Sequence, residues 1–239
     1  MSVGQSQGGH AVLGISQYAD SDASYKGTVA GAPASSLGYI ITEVAPKALA
    51  QALQGEAAGQ LPVGTAREAY AELLAYTAYT AVGIKAYQPD FDYEALFSER
   101  AAKIAVNAEG TTGENGICLT DLHNQFAADI RSYLSTNPHQ TVLNYPGLDT
   151  TEFANNQTLQ KFLANTQPAT KKLNTLTMII QGTQDLAVPF PVTQSLVEGQ
   201  VKLGLTIDFQ PIVGASHTQA IVEKRPELVV FIKKYMPAQ

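Results

Sequence analysis

Val3-Gly4-Gln5-Ser6-Gln7-Gly8-Gly9-His10-Ala11, at the start of the chain, is the stretch on which the reading of the fold turns. It carries the Gly-x-Ser-x-Gly pattern of a nucleophile elbow, with a further glycine behind it. In such a turn a strand runs straight into a helix and the serine takes a strained backbone conformation. Side chains two residues to either side would collide there, which is the reading given to Gly4 and Gly8. The turn lifts Ser6 Oγ clear of the sheet and sets it at a helix N-terminus. There the Gln7 backbone N–H can meet a developing oxyanion. The pattern alone recurs in many unrelated proteins, so its meaning depends on what lies downstream.

An elbow calls for an acid and a histidine in the order Ser, Asp, His, each in a loop that follows a later strand. The apolar run 176–180 reads as a buried parallel strand. Gln181-Gly182-Thr183-Gln184-Asp185-Leu186-Ala187-Val188-Pro189 follows it and puts Asp185 just past the strand end. Residues 206–213 read as a further strand, and Gly214-Ala215-Ser216-His217 comes directly after. Asp208 is the competing acid, but it falls inside a strand. The competing histidines are His10, four residues after Ser6 on the same helix, His123 on a helix, and His139 in a Pro-flanked loop. None has the strand-end context of His217, and His10 is expected to pack or hydrogen-bond locally.

Working outward, the chain reads as three blocks. Residues 1–35 and 171–239 alternate strand and helix. Gly27-Thr28-Val29-Ala30 is a strand candidate ending in Gly31-Ala32-Pro33, and helices are expected over 10–18, 192–203 and 225–235. That alternation implies a parallel sheet with crossover helices. Residues 36–170 are Ala-rich and read as helical. Tyr70, Leu73, Leu74, Thr77 and Ala81 keep i, i+3, i+4 spacing within one long helix over 65–87. Two more helices are expected over 91–107 and 120–135, the latter capped by Thr120 or Asp121. Tyr70, Tyr76, Tyr79 and Tyr87 are candidates for lining an acyl tunnel, or are core residues with hydroxyls at the rim.

Composition excludes several classes. At 239 residues with 15 basic and 21 acidic side chains, the net charge of −6 offers no field for a nucleic acid. Cys118 is the lone cysteine, so neither an internal disulfide nor a Cys-rich metal site can form. Acidic residues and histidines show no metal-ligand spacing, and no Gly-rich phosphate loop occurs. No apolar run approaches the ~20 residues of a membrane span. Residues 1–10 lack a basic segment followed by an apolar one, so the chain reads as having no secretory signal, with its compartment left open. Charged residues are only 15% of the chain, low for a solvated surface.

The elbow, the stretch Lys26-Gly27-Thr28-Val29-Ala30-Gly31-Ala32-Pro33-Ala34, the Asp185 loop and the His217 loop together resemble the α/β-hydrolases. Within them the secretory lipase and esterase group, with its large helical cap, is the nearest likeness. The resemblance implies an α/β fold: a partial, truncated α/β-hydrolase sheet from 1–35 and 171–239, with 36–170 as a helical cap or lid. It implies Ser6 as nucleophile, Asp185 as triad acid, His217 as general base and Gln7 N–H as one oxyanion donor. No cofactor is implied, and the substrate is a small-molecule ester.

Members of that family carry about four strands before the elbow, and this chain starts two or three residues ahead of it. The expectation is therefore an N-terminally truncated hydrolase whose second oxyanion donor comes from the cap, a partner chain or water. An exposed sheet edge at residues 1–5 would favour a homo-oligomer. Against the esterase stands a degenerate half-hydrolase that serves binding or assembly, and behind both a peptidase of the prolyl oligopeptidase type.

Overall fold

The computed structural model describes residues 1–19 and 22–237. Its elements run β1 (Ser2–Gln5), α1 (Gln7–Tyr18), β2 (Thr28–Gly31), α2 (Leu37–Tyr39), α3 (Ala45–Ala57), α4 (Thr65–Tyr87), α5 (Glu99–Ala105), α6 (Leu119–Thr136), α7 (Thr150–Asn155) and α8 (Gln157–Thr166). They continue with β3 (Thr177–Gly182), α9 (Phe190–Lys202), β4 (Ile207–Ile212), α10 (Gln219–Glu223) and α11 (Arg225–Tyr235). Two compact units result: Met1–Leu37 with Thr166–Gln239, and Gly38–Asn165.

The first unit is built on a parallel sheet in the order β1-β2-β3-β4, with Val3 opposite Val29, Val29 opposite Met178 and Met178 opposite Asp208. All residues of β2 and β3 are buried, as befits central strands covered on both faces. The side chains alternate between two cores. Val29, Met178, Ile180 and Ile212 pack with Ala220 and Phe231 of α10 and α11. Ala30 and Ile179 pack with Val12 and Leu13 of α1 and Val197 of α9. Helices thus cover both faces, and every strand delivers its carboxyl end to the same edge. β1 lies at one end of the sheet and pairs only with β2 among the described residues, leaving Val3 49% exposed.

The second unit is helical around α4 and α6. Ala71, Leu74, Ala75, Ala78, Ala81 and Ile84 form the inward stripe of α4, and Leu122, Phe126 and Ile130 that of α6. The run of alanines keeps the α4 surface low, so a neighbouring helix can approach closely. Two local expectations fail here. The helix expected over 91–107 is broken: a 3₁₀ turn at Glu94–Leu96 precedes Ser98, whose side chain caps α5 through the Ala101 N–H. α6 begins at Leu119 with Cys118 at the cap position, so Thr120 and Asp121 lie inside its first turn instead of capping it. The Cys118 carbonyl accepts from the Asp121 and Leu122 N–H groups, which starts the helix one residue early.

Candidate active site

The site assembles at the carboxyl edge of the sheet in the first unit. Ser6 stands between β1 and α1 with φ 57° and ψ −116°, a left-handed conformation that L residues rarely adopt. Strain of this kind costs about 1–3 kcal/mol and concentrates at functional positions. It is held by backbone bonds on both sides: Ser6 N–H donates to the Gly31 carbonyl at 2.8 Å, and the Ser6 carbonyl accepts from His10 and Ala34 N–H. Its side chain makes no capping bond to the first turn of α1. Ser6 Oγ takes part in no hydrogen bond among the described residues.

The glycine requirement differs from the sequence reading. A Cβ on Gly4 would lie 2.2 Å from the Gly8 carbonyl oxygen, and one on Gly9 would lie 2.8 Å from the Gly31 carbonyl oxygen. A Cβ on Gly8 would meet nothing within 4 Å. The crowding that was assigned to Gly4 and Gly8 is therefore carried by Gly4 and Gly9. Gly9 brings α1 down onto the end of β2, while Gly8 faces open space.

Asp185 and His217 meet. His217 Nδ1 lies 2.8 Å from Asp185 Oδ2, and because a carboxylate only accepts, Nδ1 carries the proton. The Asp185 side chain is wholly buried and the His217 side chain is 20% exposed. Oδ1 of Asp185 accepts the Ala187 and Val188 N–H groups, both at 2.9 Å, an Asx-type turn that folds the loop around the carboxylate. Oδ2 also accepts Gln181 Nε2 at 2.8 Å. Gln181 in turn donates to the Val188 carbonyl and accepts the Thr193 hydroxyl at 2.7 Å, and both Gln181 and Thr193 are fully buried. The Thr193 donor fixes which end of the Gln181 amide faces Asp185. The His217 loop rests on Gly182, where a Cβ would lie 2.2 Å from the Ala215 carbonyl oxygen. Gln184 N–H donates to that same carbonyl, and Gly214 N–H to Thr183 Oγ1.

Comparison with solved structures bears on this arrangement. An esterase, LipA, from Xanthomonas oryzae that degrades rice cell walls matches with TM-score 0.59 at 12% identity, over 98% of this chain and 57% of that one. Candida antarctica lipase A in its closed state matches with TM-score 0.63 at 19% identity, over 98% of this chain and 47% of that one. A candidate hydrolase of Legionella pneumophila matches with TM-score 0.61 at 13% identity, over 99% and 57%. The architecture is part of an α/β-hydrolase fold. The chain spans about half the length of the solved structures it matches. No protein-family model and no curated protein matches it.

Within the α/β-hydrolase frame, the competing residues go elsewhere. Asp208 is exposed on β4 and accepts from Gln210. His10 Nδ1 lies 2.7 Å from the Ala34 carbonyl, a hydrogen bond to a segment 24 residues on rather than a contact within its own helix. His123 reaches the Glu68 carbonyl in the second unit, and His139 is exposed in a turn. The four tyrosines of α4 find different neighbours: Tyr70 the Tyr145 ring, Tyr76 Glu72, Tyr79 the Ile117 carbonyl and Tyr87 the Phe162 ring. Sequence reasoning missed Gln5, Gln181 and Thr193. It also missed Ser35, whose buried hydroxyl makes no hydrogen bond among the described residues and lies between the positive-φ residues Ala32 and Ser36. No periodic or motif signal marks these four. No helix among the described residues is long and apolar enough to cross a membrane.

Proposed function

We propose that the chain is a serine carboxylic ester hydrolase acting through an acyl-enzyme. The observation that carries this reading is the strained Ser6 at the start of α1, on the same sheet edge that presents the buried Asp185 bonded to His217. Ser6 Oγ attacks the ester carbonyl while His217 Nε2 takes its proton, and Asp185 orients the ring and stabilises the imidazolium. The Gln7 N–H, in the uncapped first turn of α1, faces the oxyanion of the tetrahedral adduct. Collapse of the adduct breaks the acyl–oxygen bond, and the imidazolium gives its proton to the departing alkoxide. Water, deprotonated by His217, then attacks the acyl-Ser6 ester and releases the acid, restoring both side chains. No cofactor enters this scheme, and the site takes a small ester.

Hydrolysis of p-nitrophenyl esters by the wild-type chain, lost in Ser6→Ala, is the expected result, with the matching anilide cleaved far more slowly. A wild-type chain without esterase activity overturns the reading in favour of a degenerate hydrolase that serves binding or assembly, and activity undiminished in Ser6→Ala overturns Ser6 as its nucleophile. Efficient anilide cleavage would instead favour a peptidase. For contact between copies of the chain we infer the edge of β1, which pairs only with β2 among the described residues and offers its other side to a second strand. A dimer or larger species in sedimentation, dispersed by Val3→Lys, supports that contact, and an active monomer overturns it.

A further inference from the structure

We propose that Gln5, the residue before the nucleophile, is a positioning residue that sets His217 against Ser6; this rests on the hydrolase reading above. Gln5 Nε2 donates to the His217 main-chain carbonyl at 3.0 Å, joining residues 212 apart in sequence. The need for such a link follows from the sheet order. Ser6 follows β1, whereas Asp185 and His217 are held by the loops after β3 and β4, and β2 stands between. The bonds that seat the His217 loop on β3, Gly214 N–H to Thr183 Oγ1 and Gln184 N–H to the Ala215 carbonyl, fix it relative to Asp185. They carry no information about Ser6.

The end of β2 is shaped to let the link pass. Gly31 is the register partner of Gln5. A Cβ at Gly31 would lie 1.6 Å from Ile221 Cδ1 and 3.7 Å from Gln5 Cγ. Ile221 sits in α10, four residues after His217, and occupies the space that a side chain on β2 would fill. The segment carrying His217 is thus held at the carboxyl ends of β1 and β2 by two contacts, Ile221 on Gly31 and Gln5 on the His217 carbonyl. Ser6 Oγ makes no hydrogen bond of its own among the described residues, so backbone placement decides how the imidazole faces it. Small misplacements of reacting groups are costly, about 10²-fold for 1 Å. A hydrogen bond at the main chain of the base itself is well placed to prevent them.

Gln5→Met keeps the length and the packing against Gly31 but removes the donor. Gln5→Glu keeps the shape and offers only acceptors at neutral pH. In both, phosphonate labelling of Ser6 is expected to slow about tenfold, which is ~1.4 kcal/mol in the barrier. In ester hydrolysis kcat should fall by the same factor with KM near wild type. The His217 Nδ1–H proton resonance should persist in both, because its Asp185 partner is untouched. Labelling at the wild-type rate in either folded variant overturns the proposal, and so does loss of that resonance in both. If Gln5→Met does not fold, Gln5→Glu alone decides. A wild-type chain that takes no label at Ser6 overturns the hydrolase reading and this inference with it, and so is told apart from failure of the inference alone.

Discussion

Gln181→Glu replaces one amide nitrogen by an oxygen in a place that water does not reach. Gln181 is fully buried, and its Nε2 lies 2.8 Å from Asp185 Oδ2 and 3.0 Å from the Val188 carbonyl. The Thr193 hydroxyl already donates to Oε1, so the new oxygen must take the Nε2 position. It would face these two acceptors and the Gly182 carbonyl at 3.3 Å with nothing to donate unless the introduced carboxyl keeps its proton. Folding then raises the pKa of that carboxyl above its unfolded value of about 4.3. A raised folded value gives stability that is intact below the unfolded pKa and is lost as pH rises towards the folded one. The deficit against wild type should therefore grow above pH ~4.3 by up to about 1.36 kcal/mol per pH unit, reaching roughly 3.7 kcal/mol near pH 7 if the proton is still held there. That is a large part of the 5–15 kcal/mol that holds a typical domain together. Gln181→Leu is the control: it strands the Val188 carbonyl and the Thr193 hydroxyl and removes one donor to Asp185 without adding a titratable group, so its deficit should be large but grow less with pH than that of Gln181→Glu. Urea unfolding of the three proteins across mildly acidic to neutral pH measures both. A deficit for Gln181→Glu that does not grow with pH would refute the reasoning about the buried amide.

Gly4→Ala should prevent the elbow from forming, since its Cβ would lie 2.2 Å from the Gly8 carbonyl oxygen. Gly8→Ala, with open space at the same distance from Ser6, should fold and gain about 0.8–1.0 kcal/mol of helix propensity in thermal unfolding. Asp185→Asn should lower kcat by about 10⁴ in ester hydrolysis with KM little changed. The Asn oxygen goes to the Ala187 and Val188 N–H groups, its amide faces His217 Nδ1, and the ring is driven to the tautomer that cannot accept the Ser6 proton. In the second unit, burial first and Glu109 beside it second push the Tyr93 phenol up to about 12. The unfolded chain releases that proton near pH 10, so stability present below pH ~10 is lost on the way to pH ~12. Tyr93→Phe should lose that part of the pH dependence in alkaline urea unfolding.

The strands, their parallel sense and the places of Asp185 and His217 after strand ends are legible because each depends on local signals. An unbroken apolar run marks β3, and the residues that follow a parallel strand necessarily reach the carboxyl edge. Ser6 is legible because its backbone strain needs glycine nearby. Which glycine is not legible, since Gly9 matters only through Gly31 and Pro33, residues that the chain brings back from more than twenty positions away. Gln5 and Gln181 are invisible for the same reason: an amide in a strand has no periodicity, and its role exists only once His217 or Asp185 has arrived. The helix expected over 91–107 fails differently. Its apolar spacing is helical, but Ser98 offers its side chain to the Ala101 N–H, and that cap restarts the helix where periodicity alone runs through.

The hydrolase account stands on Ser6 as nucleophile, and the most direct measurement is the intact mass of the chain after exposure to a serine-reactive phosphonate, followed by mapping of the adduct. One adduct per chain on the peptide that contains Ser6, absent in Ser6→Ala and much slowed in Asp185→Asn, is the predicted result. A chain that takes no adduct, or takes it at another serine, would contradict the account.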